Sequence, residues 1–102
     1  MSHRVLVLIV AIFLAGCSGA PPEDATGQQI YSQLCASCHS RDLGGGVGPA
    51  LGPGSAASGL SDEVIARTIR QGRGSGMPAF DHTLSDAQLS RLVEFIRERQ
   101  AG

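Results

Sequence analysis

Lysine and tryptophan are missing from this sequence, and tyrosine occurs once. All eight cationic side chains are arginines, set against nine acids for a formal net charge of −1. Such a balance lacks the strongly basic face that nucleic-acid binding needs. The glycine- and proline-rich stretch from Asp42 to Gly59 follows no strand pattern and has no Gly-Lys-Ser/Thr ending. A phosphate-cradling nucleotide loop is thereby excluded. The longest apolar run, Val5 to Leu14, is ten residues, too short to cross a bilayer stably as a mature helix. Three cysteines, an odd number, exclude a scaffold made wholly of disulfides. At 102 residues there is room for one small domain, and such domains usually need a staple.

What the sequence does contain is Cys35-Ala36-Ser37-Cys38-His39. A Cys-x-x-Cys pair followed at once by His is the signature of covalent c-type haem attachment. On a helix, residues three apart share a face, so Cys35 and Cys38 can reach the two vinyl groups of one porphyrin. His39 then follows where its ring can turn under the macrocycle and bind iron. A zinc site and a dithiol redox pair are the rival readings. Zinc needs four ligands, and past the first four residues only His82 and Cys17 remain as His or Cys donors. The redox motif expects a βαβ context, and no strand pattern is present.

The N-terminus reads as a targeting segment. A short basic start, the Val5–Leu14 core and the sequence Leu14-Ala15-Gly16-Cys17 resemble the lipobox of bacterial lipoproteins. That resemblance implies cleavage before Cys17, lipid on Cys17, and a mature chain of 86 residues facing the periplasm or cell exterior. Residues 1–16 are then a signal peptide, 17–26 a lipidated cysteine and linker, and 27–102 the folded domain. Fully stretched, the nine residues from Ser18 to Thr26 reach about 30 Å.

Helical periodicity starts near Gly27. Ile30, Tyr31, Leu34, Cys35 and Cys38 share one face of a helix expected to run to about Ser37. Ser61 opens a second helix, with Leu60 and Ile65 as a staple and Gly72 as its stop. Ser85 and Gln88 form a capping box for the last, stapled by Leu84 and Leu89. Leu89, Leu92, Val93 and Ile96 line its apolar stripe, and Arg91, Glu94, Arg97, Glu98 and Arg99 are expected to face solvent. Between these two helices, Met77 sits in a Gly- and Pro-rich loop, Gly72 to Phe80, rather than on a helix stripe. Its thioether can reach the open side of the iron, with His82 the rival sixth ligand.

The Cys35–His39 motif, the Met77-Pro78 loop and the flanking helices together resemble the class I c-type cytochromes, from about Gly27 to Arg99. The resemblance implies a small all-α cytochrome c fold, about three core helices with Gly/Pro-rich loops wrapped around one covalent haem c. It implies that Gly27 and Tyr31 cross Leu92 and Phe95. It further implies that the Pro49 carbonyl accepts from Nδ1–H of His39 and that Leu51 packs on the ring. The propionate partners stay open among Arg67, Arg70 and Arg73. The function implied is a membrane-anchored carrier passing one electron at a time between redox protein partners, with no catalytic residue and the oligomeric state open. A gas sensor or enzyme in which Met77 leaves the iron, and a subunit docked in a larger oxidoreductase, are the alternatives.

Overall fold

Three hydroxyl side chains set where the main helices begin. The computed structural model describes residues 19–102, so Cys17 and the expected signal peptide lie outside the described residues. Thr26 caps α1, Gly27–Leu34, by accepting from the backbone N–H of Gln29, whose side chain reaches back to the Thr26 N–H at 2.8 Å. Ser61 caps α3, Asp62–Gln71, and Ser85 with Gln88 forms the capping box of α4, Asp86–Ala101. Each cap contributes about 1 kcal/mol by satisfying donors that the first turn leaves unpaired. The helix expected to run unbroken to Ser37 is interrupted at Cys35 and restarts as α2, Ala36–His39. A short 3-10 turn at Ala56–Gly59 relieves the irregular stretch before α3. Among the described residues the only β-pairing is an isolated bridge between Arg73 and Met77.

The architecture is the small all-α one expected. Its centre is the crossing of α1 and α4. Gly27 permits that crossing, because a Cβ there would run into the carbonyl oxygen of Arg91 and come within 2.8 Å of the Phe95 Cβ. One turn on, the rings of Tyr31 and Phe95 lie 5.4 Å apart, tilted by 48°, a favourable aromatic pairing. Ile30, Tyr31, Leu43, Ile65, Ile69, Leu89, Leu92 and Ile96 form one continuous core. Leu84 and Leu89 are both buried, as a staple requires, but Leu60 stays 40% exposed and does not enter the core with Ile65.

Two expectations about polar positions fail for one reason, unpaired loop carbonyls. Arg91 does not simply face solvent: it donates to the carbonyls of Ala25, at 3.0 Å, and Glu23. Arg97 donates to Asp62 at 2.7 Å and to the carbonyls of Ser58 and Leu60. Gln88 is 2% exposed, its amide nitrogen shared between the carbonyls of Pro21 and Pro22 at 3.2 and 3.0 Å. Residues 21–25, expected as part of an extended linker, therefore lie along α4, with Pro21 and Ala25 buried. Irregular backbone cannot satisfy its own acceptors, and these long side chains do so instead.

Candidate haem site

α1 delivers Cys35 into the core, and in α2 Ser37 faces outward while His39 turns back inward. Cys35 is buried, Cys38 partly exposed, and no disulfide joins them. Burial first, then the neighbouring Cys38, pushes the Cys35 thiol up to about 12. Reactive dithiols need the opposite shift, so the redox-pair reading finds no support in this environment. Among the described residues no group of three or more His, Cys, Asp or Glu side chains is placed to hold a metal ion, which leaves the zinc reading without ligands there.

His39 ends α2 and is 8% exposed. Its Nδ1 lies 2.8 Å from the carbonyl oxygen of Pro49. A carbonyl only accepts, so Nδ1 carries the proton and Nε2 keeps its lone pair. Gly48 packs flat against the same ring, since a Cβ there would sit 2.7 Å from Cε1 and 2.9 Å from Nδ1. The imidazole is thus held in one tautomer and one orientation, with its other nitrogen a metal-ready donor.

The loop that does this is tied backbone to backbone. Gly45 N–H donates to the His39 carbonyl at 3.0 Å, Gly48 N–H to Cys38 at 2.8 Å, and Leu51 N–H to Leu43 at 2.8 Å. Ser40 and Leu43 adopt left-handed φ of 70° and 62°, unusual for residues with side chains. Each costs on the order of 1–2 kcal/mol. Offsetting contacts are present: the Ser40 hydroxyl donates to Gly45 at 2.6 Å, the Ser40 carbonyl accepts from the Tyr31 hydroxyl at 2.6 Å, and Leu43 is fully buried. Leu51 is partly buried against the core, and its carbonyl accepts from Gln100 at 2.9 Å. Burial, with smaller pushes from Cys35 and Asp42, raises the Tyr31 hydroxyl to about 12.

Met77 lies in a loop closed at its base. Its N–H and carbonyl both pair with Arg73, at 3.1 and 3.0 Å, and Phe80 N–H donates to the carbonyl of Ile69 at 3.0 Å. The Met77 side chain is partly buried and packs against the same apolar cluster that contains Cys35. His82, by contrast, is 98% exposed beside Asp81. Arg70 is engaged with Asp86 at 3.1 Å, while Arg67 and Arg73 are exposed.

Two missed features left different traces. Thr26 and Gln29 carry the spacing of a capping box, Thr-x-x-Gln, so that helix start was readable. Nothing local marks Gln88 as a clamp for Pro21 and Pro22, nearly seventy positions away.

The donor set fits a covalently held haem: two cysteines three apart, an adjoining histidine with a fixed tautomer and a free Nε2, and a thioether on the same apolar cluster. Comparison with known proteins points the same way. The model of the family described as cytochrome c oxidase, cbb3-type, subunit III matches residues 22–96. The cbb3-type oxidase subunit CcoP of Rhodobacter capsulatus is 30% identical over 106 residues, covering 91% of this chain and 36% of that protein. Cytochrome c55X of Stutzerimonas stutzeri is 34% identical over 92 residues, covering 89% of this chain and 80% of its own length. The solved structure of the c-type cytochrome NirC superposes with a TM-score of 0.62 at 36% identity, covering 71% of this chain and 85% of that one. The chain thus spans about a third of the length of the CcoP protein and most of that of cytochrome c55X.

Proposed function

This chain belongs to the c-type cytochromes of the cbb3-oxidase subunit III family, and from that membership we propose a membrane-anchored electron carrier with one covalent haem c, passing single electrons between two redox proteins. The observation that carries the reading is the pairing of His39 Nδ1–H with Pro49, which leaves Nε2 free on a ring that Gly48 holds still.

In this reading Cys35 and Cys38 would hold the cofactor through thioether bonds, and His39 and Met77 would be the ligands to its iron. Leu51 and the Gly48–Ala50 turn cover one side. Haem c supplies a one-electron ferric/ferrous couple, and methionine ligation raises its potential. The chain's part is to keep the ligands fixed, so that little reorganises when charge changes, and to shield the site with the apolar cluster. No side chain here needs to accept or release a substrate proton. Lipid on Cys17 would keep the domain at a bacterial membrane, facing the periplasm or exterior, where its donor and acceptor are redox proteins of a respiratory chain. The likeness to CcoP, by its name an oxidase subunit, favours a second reading in which the domain docks permanently in a larger oxidoreductase.

The test is the optical spectrum of the purified protein, oxidised, reduced, and then exposed to carbon monoxide. Sharp c-type bands, a weak long-wavelength sulfur-to-iron band in the ferric form and indifference to carbon monoxide are expected. A carbon monoxide shift would point to an open-site sensor or enzyme instead.

A further inference from the structure

The segment before α1 is held far more firmly than a tether requires. Between Pro21 and Ala25 the backbone offers four carbonyls to two side chains of α4: Gln88 takes Pro21 and Pro22, and Arg91 takes Glu23 and Ala25. The Glu23 carboxylate accepts from the Ser85 hydroxyl at 2.8 Å, and Ala25 N–H closes a turn onto Pro22 at 2.9 Å. Pro21 and Ala25 are buried, and so is the Gln88 side chain.

We propose that residues 21–25 are a fixed strap that turns the lipid-bearing end of the chain toward the first turn of α4, so that the domain stands on a phospholipid bilayer by that end. This rests on the lipid anchor at Cys17. From Cys17 to Pro21 is four residue steps, at most about 14 Å of chain, against the 30 Å of a free linker. A domain of some eighty residues is about 30 Å across. A tether shorter than the body it holds cannot let that body roll over, so the bilayer meets the neighbourhood of Pro21, Asp86 and Ala87. The far end of α4 is about 22 Å further on along the helix axis. Asp86 and Ala87 are exposed at the first turn and Ala101 at the last, which makes the two ends separately addressable.

Single nitroxide labels on Ala87→Cys and Ala101→Cys, in the lipidated holoprotein reconstituted into phosphatidylcholine vesicles, read the geometry directly. A lipid-soluble relaxant should act several-fold more strongly at position 87 than at 101. Inserting about ten Gly/Ser residues between Gly19 and Ala20 adds roughly 17 Å of flexible reach and should erase the difference, while hydrogen exchange at the Ala25 amide stays slow. Gln88→Ala should also shrink the difference, with faster exchange at Ala25. Equal accessibility at 87 and 101 in protein whose Cys17 carries acyl chains by mass spectrometry overturns the orientation alone. Absence of acyl chains overturns the anchor and the orientation with it. A difference that survives the insertion shows that something other than the strap orients the domain, and overturns the proposal.

Discussion

His39 and Pro49, ten residues apart, are locked together by one 2.8 Å hydrogen bond, and Gly48 makes the approach possible. Gly48→Ala would place a methyl group 2.7 Å from Cε1 of His39. The ring or the loop must move, at roughly 1–3 kcal/mol for an overpacked site. The expected result is a lower melting temperature and a perturbed visible spectrum in the haem-loaded protein. An unshifted melt and spectrum would mean that Gly48 does not hold the ring.

Gly27→Ala is expected to be as damaging, again by roughly 1–3 kcal/mol, because the new methyl meets Arg91 backbone and Phe95 at the α1–α4 crossing. Gly59→Ala is its control. Nothing lies within 4 Å of a Cβ there, so its effect should stay within about 0.5 kcal/mol. Urea unfolding of the two variants measures the contrast, and equal stabilities would contradict the crossing.

Met77 and His82 are separable by a pair of substitutions. Only backbone atoms of Met77 pair with Arg73, so Met77→Ala leaves the loop closed. It should open the iron to carbon monoxide and lower the reduction potential. His82→Ala, at a fully solvated side chain, should change neither. Redox titration with carbon monoxide difference spectra decides, and an unchanged potential in Met77→Ala would remove Met77 from the ligand set.

Tyr31 is the only tyrosine and there is no tryptophan, so its ionisation can be followed by tyrosinate absorbance without interference from other residues. Burial holds the folded-state value near 12, above the ordinary 10. The unfolded chain releases that proton first. Stability from this group is therefore whole below pH 10 and declines as the pH rises from 10 to 12. Haem attachment removes the Cys35 thiol contribution but leaves burial, the larger cause. A titration midpoint near 10 in the folded protein would show that the hydroxyl is not enclosed.

Most of the fold was legible because its signals are local. Ser61, Ser85 and Gln88 sit at capping positions before apolar stripes, and the helices begin where they indicate. The Cys35–His39 spacing and the lone Met77 in its loop named the candidate donors. The break at Cys35 was not legible, since apolar periodicity continues straight through it. Nor were the ties made by Arg91, Arg97 and Gln100. Arg91 and Arg97 read as solvent-facing, Gln100 carried no signal at all, and the partners are loop carbonyls 37 to 68 residues away that carry no side-chain identity.

Those ties converge on one element. α4 holds the strap at residues 21–25, the glycine of α1, the carbonyl of Leu51 and the approach to α3. It is also synthesised after every element that it holds. A nascent chain that has not yet released Asp86–Ala101 lacks the partner that α1 and both loops close upon. The order of assembly thus runs against the order of synthesis: α1, which leads into Cys35, emerges well before the helix it packs on, and stays without that cover until Asp86–Ala101 follows.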